Sequence, residues 1–239
     1  VGECAVSLVS TEMGGTVKIA QGDEYSDVHV GGVFGSASNA TASACDALLS
    51  GDIEISSNVA DGTTNVNVGG VCGKSGMLTA GCHAEWTESA HVKIASDRSN
   101  FGGVTGLTQA ESNYAFLVGC YALCNGRVEI EPKNGTDYTA NAGGIAGTLA
   151  NSTIAGCTVK AKNIYGHNAS SPSLIGVSGI AAYVVGVSSV SDCKAYATLI
   201  RNSTVLGTED ASVTPDNLFG MGMIVGIDAG TTTVTNCGV

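Results

Sequence analysis

The chain has 239 residues, of which 44% are hydrophobic, 13% charged and 5% aromatic, with 34 glycines and only three prolines. A net charge of −11 and a pI near 4.6 exclude the basic footprint that nucleic acids and anionic membrane surfaces require, so no nucleic-acid partner is expected. Glycine mixed with valine, serine and threonine excludes long helices and favours short strands joined by tight turns.

From the N-terminus, Cys4-x-Val6-x-Leu8 shows the period of two that a half-buried strand requires. Val17-Lys18-Ile19 follows with its charge outward, and Val28-His29-Val30 leads into a cluster, Gly31-Gly32-Val33-Phe34-Gly35. The succession then recurs as Cys45-x-Ala47-x-Leu49, Ile53-Glu54-Ile55, Val66-Asn67-Val68 and Gly69-Gly70-Val71-Cys72-Gly73. A third copy runs through Cys82-x-Ala84-x-Trp86, Val92-Lys93-Ile94 and Gly102-Gly103-Val104-Thr105-Gly106. A fourth runs through Cys120-x-Ala122-x-Cys124, Val128-Glu129-Ile130 and Gly143-Gly144-Ile145-Ala146-Gly147.

Cys157-x-Val159-x-Ala161 departs from this pattern, running on through Lys160, Lys162 and Ile164 without a clear second strand. Leu174 to Val190 is the most apolar window; Gly176, Gly179 and Gly186 break it, so it reads as buried strand and not as a membrane span. The last clusters, Ser178-Gly179-Ile180-Ala181-Ala182 and Gly222-Met223-Ile224-Val225-Gly226, are degraded, and Cys193 and Cys237 follow them. No charged-then-apolar leader opens the chain, which therefore reads as a mature or excised fragment.

Steps of 41, 37, 38, 37, 36 and 44 residues from Cys4 through to Cys237 predict an all-β fold. Its form is a parallel β-solenoid, a β-helix of about six coils of about 37 residues with three short strands per coil, forming one domain over residues 1–239. Lys18, Glu54, Lys93 and Glu129 alternate in sign at one position and would fix register more than they stabilise. The glycines serve corners, through positive φ or close approach between coils. No cofactor is expected, because no cluster leads into an amphipathic helix or a Lys-Ser/Thr pair.

Nine cysteines admit a disulfide framework, but stacking at about 4.8 Å leaves Cβ atoms too far apart, so the column is read as a buried ladder of reduced thiols. No metal site is expected, since no Cys-x-x-Cys pair or histidine spacing provides one. Trp86 falls at an inward phase, between Leu49 and Cys124 on the neighbouring coils. Sequons at Asn39, Asn134, Asn151, Asn168 and Asn202 bear on glycosylation only in a eukaryotic source.

Three acidic groupings are candidates for chemistry: Asp23, Glu24 and Asp27; Glu85 and Glu88 beside His83 and His91; and Glu209, Asp210 and Asp216. Each reads first as solvated turn residues. The most coherent surface is the outward face of the strand after each cysteine, on which Asp46, His83, Glu85, Tyr121, Lys160, Lys194 and Tyr196 are the candidate binding residues. Ala5 and Ser7 take the first coil's places on it, and Leu48, Leu123 and Thr158 complete it. This mixture of aromatic, apolar and charged groups suits contact with glycan or protein.

The recurring Gly-Gly-[Val/Ile]-x-Gly, followed by a segment such as Leu78-Thr79-Ala80-Gly81-Cys82 or Ile154-Ala155-Gly156-Cys157, resembles the glycine-rich repeats of GLUG-type surface proteins of Bacteroides-like bacteria. The resemblance implies an exported, adhesin-like β-solenoid, extracellular or at the cell surface, with no catalytic motif. The expected function is therefore a non-enzymatic adhesion or display module. Two alternatives stand beside it. One is a structural subunit associating head to tail into a filament, since Cys4 and Cys237 would share a phase; the other is a polysaccharide lyase or hydrolase of β-helix type.

Overall fold

The computed structural model describes residues 4–21, 27–38, 40–57, 65–96, 98–109, 114–131, 138–167, 173–202 and 218–239. Within them the chain is all-β, a parallel solenoid whose successive turns lie roughly 37 residues apart. The first turn contains β1 (Cys4–Ser7), β2 (Ser10–Met13), β3 (Val17–Gln21), β4 (Val28–Gly31) and β5 (Phe34–Ala37). Each founds a parallel ladder, here called A to E in that order, to which every later turn adds a strand. Ladder A has seven strands, and ladders D and E six each. The three strands per coil read from the sequence are those of B, C and D.

A and E are additional, and in the early turns their strands are short stretches of mostly small residues such as Ala40–Ser43 and Cys72–Ser75. Their backbone polar groups are satisfied by the turns above and below, which makes them strands without a local hydrophobic signal. In the fifth turn B and C fuse into one strand, Thr158–His167. The Cys124-to-Val128 corner of the turn before is matched there by Ala161 to Ile164, one residue shorter, so the bend flattens out.

The diglycine clusters form the corner between D and E. None of their glycines has positive φ; steric room is what they supply. A Cβ on Gly69 would stand 2.0 Å from the Cys72 carbonyl oxygen. One on Gly103 would stand 2.0 Å from the Gly144 carbonyl oxygen of the next turn and 2.9 Å from Cys124 Sγ. In the degraded fifth copy Ser178 fills the first glycine's place, and its hydroxyl accepts from Ile180 N–H and donates to the Ile224 carbonyl.

Positive φ recurs at a different corner, between A and B, where Leu8, Ala44, Gly81, Gly119, Gly156, Asp192 and Asn236 have φ between 48° and 64°, and it is also found at Asn151 and Gly186 between E and A. The residue after each of the A-to-B corner residues turns inward. His83 N–H donates to the Cys45 carbonyl, Tyr121 N–H to Cys82, and Asp46 N–H to Val9, so the stacked column is Val9, Cys45, Cys82, Cys120, Cys157, Cys193 and Cys237. Each strand of B therefore starts one residue after its cysteine. Cys4 is not the first member of the column; it lies on ladder A opposite Ala40, and the first step is 36 residues, from Val9 to Cys45.

The core fills the space enclosed by B, C, D and the inner face of A. Ala47, Ala84, Ala122, Val159 and Ala195 line the wall under the second glycines, and Ile53, Ile55, Val92, Ile94, Val128 and Ile130 line the adjacent one. Trp86 is fully buried between Leu49 and Cys124, as its phase requires. Its Nε1–H donates to the Gly103 carbonyl at 3.1 Å, and its ring meets Phe101 at 5.2 Å. The Leu174–Val190 window forms strands of D, E and A, buried from Ile175 through Ala182 and alternating on ladder A, where Val187 is exposed, and no helix among the described residues is long and apolar enough to cross a membrane.

These two corners predict costs of different size and cause for one added methyl group. Gly119→Ala, at φ +61 with nothing within 4 Å of the new Cβ, should cost about 1 kcal/mol, and Ala44→Gly at φ +48 should gain a similar amount. Gly103→Ala should cost about 3 kcal/mol or more, because backbone rather than a movable side chain blocks it. Urea unfolding of the three variants measures both effects.

Candidate functional site

Ladder B holds all seven candidate binding residues on its outer face, in two adjacent columns. One column runs Ser10, Asp46, His83, Tyr121, Thr158 and Lys194. The other runs Glu12, Leu48, Glu85, Leu123, Lys160 and Tyr196. Ser10 and Glu12 replace Ala5 and Ser7 as its first members, because β1 belongs to ladder A. The inward-facing partners, Ala47, Ala84, Ala122 and Val159, are buried, so alternation alone aims these side chains outward.

Charge is graded along the strip, with Glu12, Asp46 and Glu85 on the early turns and Lys160 and Lys194 on the late ones. Its centre is aromatic. The His83 and Tyr121 rings meet at 5.0 Å with a 43° tilt, and His83 Nδ1 faces Asp46 Oδ1 at 3.7 Å. His83 Nε2 is buried and has no hydrogen-bond partner. Tyr196, 52% exposed, ends the second column beside Lys160. Six strands at about 4.8 Å give the strip a length of about 24 Å, enough for an extended chain lying along the solenoid.

The acidic groupings are not brought together. Asp27 accepts from the backbone and side-chain N–H groups of Asn65, while Asp23 and Glu24 lie outside the described residues. Glu88 reaches two turns along to Lys162 at 3.4 Å, whereas His91 joins Glu129 on ladder C. Glu209, Asp210 and Asp216 lie outside the described residues, as do the sequons at Asn39, Asn134 and Asn168. Asn202 ends a ladder strand, and the Asn151 carboxamide accepts from Val187 N–H.

The alternating column on ladder C is in register. Lys18 and Glu54 pair at 2.8 Å, but Glu129 is held by Arg127 and His91.

Two interior rows contain the remaining polar chemistry. Cys45, Cys72, Cys82, Cys120, Cys124, Cys157 and Cys193 are free and buried, and Cys237 is free and half-buried. Each corner thiol lies within reach of the carbonyl two residues before it, as in Cys82 Sγ to Ala80 at 3.4 Å and Cys193 Sγ to Ser191 at 3.1 Å. Cysteine suits this position because it is a small hydrophobe carrying one weak donor. The neighbouring Cys120 thiol, together with burial, pushes the Cys82 and Cys157 thiols well up, and Cys157 Sγ accepts from the Cys120 backbone N–H at 3.4 Å. Burial alone raises Cys124 to about 12, and dominates the rise of Cys72 to the same value. No group of three or more metal-ligating side chains forms among the described residues.

The other row was not legible as a unit in the sequence. On ladder D, His29, Asn67, Asn100 and Asn141 stack and pass hydrogen bonds in one direction. Asn141 Nδ2 donates to Asn100 Oδ1 at 3.0 Å, Asn100 Nδ2 to Asn67 Oδ1 at 2.8 Å, and Asn67 Nδ2 to His29 Nδ1 at 3.0 Å. Seven residues further on, ladder E supplies the opposing row: Ser36, Lys74, Leu107, Thr148, Tyr183 and Ile227. Where the asparagine row shrinks to Gly176 and Gly220, this row grows to Tyr183 and Ile227, and a Cβ on Gly220 would stand 2.3 Å from Ile227 Cγ1. That constant offset was the available sequence signal.

Burial lowers the His29 pKa below 6.5, and Lys74 adds to this while Asp27 opposes it. Protonation would also turn Nδ1 into a donor facing the Asn67 amide. Between the lowered folded value and 6.5 the unfolded chain binds more protons, so stability should fall as pH drops below about 6.5. His29→Asn should remove that part of the slope in denaturant titrations between pH 7.5 and 5.5. Asn100→Ala, which strands the Asn67 carbonyl, should cost about 3 kcal/mol at any pH in this range. In thiol labelling, Cys237 should react first in the native protein, and the buried cysteines only on unfolding.

No protein-family profile matches this chain, nor does any curated protein or solved structure.

Proposed function

We propose that the chain is a non-enzymatic, adhesin-like or display module of an extracellular surface, which binds a glycan or a protein along the outer face of ladder B. The observation supporting this is the segregation of variety. The corner cysteines, the alanines beneath the second glycines and the aliphatics of ladder C repeat a few residue types from turn to turn, whereas the two outward columns of B change character at nearly every turn. Structure alone demands the first pattern, because like residues stack into one packed core. It makes no demand for the second, and a row of unlike groups can read an extended ligand one subsite per turn. The likeness of the clusters to GLUG-type repeats agrees with this reading.

End-to-end stacking into a filament is less well supported. Cys4 and Cys237 do not share a phase, since one lies on ladder A and the other continues the corner column that starts at Val9.

The test is a screen of the whole chain against arrayed neutral and acidic glycans and immobilised extracellular-matrix proteins. Tyr121→Ala and Tyr196→Ala should each weaken a detected interaction about tenfold, that is by about 1.4 kcal/mol, with unchanged melting curves. A ligand whose affinity ignores both changes and also a Lys160→Glu, Lys194→Glu double variant does not bind on this strip.

A further inference from the structure

Ladder A presents the one large face of the solenoid that is neither charged nor covered among the described residues. Its first outward column contains Thr41, Leu78, Phe116, Thr153, Ser189 and Thr233. Its second contains Ser43, Ala80, Val118, Ala155, Ser191 and Thr235. Ala5 and Ser7 of β1 begin them. No member of either column carries a charge, in a chain whose net charge is −11 and whose ladders B and C are studded with charged groups. The face also gathers exposed hydrophobic side chains, with Phe116 42%, Val118 40% and Val187 58% accessible. A flat β-face of this kind in water marks a contact surface.

We infer that this face is the docking surface for a second copy of the chain, packed sheet to sheet about a two-fold axis that lies between the two facing copies of the strand Ala115–Val118. Three features select that occupant. Against the general self-repulsion of a chain at −11, a copy docked on this face meets no like charge from either column.

The composition is also close to symmetric about the fourth of seven strands. Phe116 and Val118 lie at the centre, Leu78, Ala80 and Ala155 beside them, and hydroxyl-bearing residues toward both ends. A two-fold contact joins a patch to itself, so it needs an apolar centre and a polar rim disposed in that way. Finally, seven strands at about 4.8 Å, each about four residues long, allow two copies to bury on the order of 1,000 Å² in total. That is the lower bound for a specific interface, so the dimer should be weak, with Kd in the micromolar range. Ladder B stays open in such a dimer, which would double the number of ligand strips on one particle.

Sedimentation velocity from about 1 to 500 µM, in 0.15 M and in 1 M NaCl, tests the assignment. A monomer–dimer equilibrium that persists at the higher salt is expected. Phe116→Lys and Thr153→Lys, both at outward positions, should each raise Kd at least tenfold with an unchanged melting curve. Phe116→Cys should form a covalent dimer on a non-reducing gel under mild oxidation, well above the background of the unaltered chain and of Tyr121→Cys. A monomer at every concentration overturns the proposal. So does association that continues past the dimer, or a dimer that both lysine variants leave intact. If a lysine variant fails to fold, the cysteine cross-link decides, and its absence counts against the interface.

Discussion

The close approach of backbone to backbone at the diglycine corner is the constraint on which the rest of the structure depends. Gly70 N–H donates to the Gly103 carbonyl and Gly32 N–H to the Gly70 carbonyl, so the corner of one turn rests directly on the next. A side chain at the second glycine would meet that carbonyl and the alanine column beneath. With the corners in contact, every strand that leaves them is held near the parallel spacing of about 4.8 Å, and the ladders follow. The fifth turn shows how far this can relax: Ser178 is accommodated because its hydroxyl takes over hydrogen bonds within the corner.

Stacking at a fixed spacing turns every position into a column, and each interior column solves one packing problem repeatedly. The thiols occupy the left-handed corner, where a slim side chain with a weak donor is required. The asparagines link turn to turn through amide-to-carbonyl bonds along ladder D. Their row ends at Gly176, leaving Asn141 Oδ1 buried and unpartnered while the facing row grows to fill the space. Buried polar rows of this kind stabilise only while every rung is paired, which is why a change at Asn100 should be felt along the row.

The exterior follows a different logic. Ladder C has paired charges, ladder B unlike groups that grade from acidic to basic, and ladder A hardly any polarity beyond hydroxyls. A binding strip on B and a copy-to-copy contact on A are compatible, because the two faces meet only at the corner formed by the left-handed residues. Backbone rigidity from the stacked turns would hold both surfaces in place without any induced change.

By itself the sequence determined the solenoid, its period, the inward phase of Trp86 and the strands of ladders B, C and D, because alternation and recurrence are properties of the local chain. It also placed Asp46, His83, Glu85, Tyr121, Lys160, Lys194 and Tyr196 on one outward face, since each keeps a fixed offset from a cysteine. Only the tertiary structure decided what depends on the neighbouring turn. In the early turns ladders A and E are made of small residues with little hydrophobic signal, and their strands form because adjacent turns supply their hydrogen bonds. Cys4 mimics the repeat by residue type, yet the amide of Asp46 selects Val9 as the column's first member. The glycines likewise divided into two kinds, one giving room and one giving positive φ, because a corner's backbone angles depend on which strands it joins and not on the residues alone.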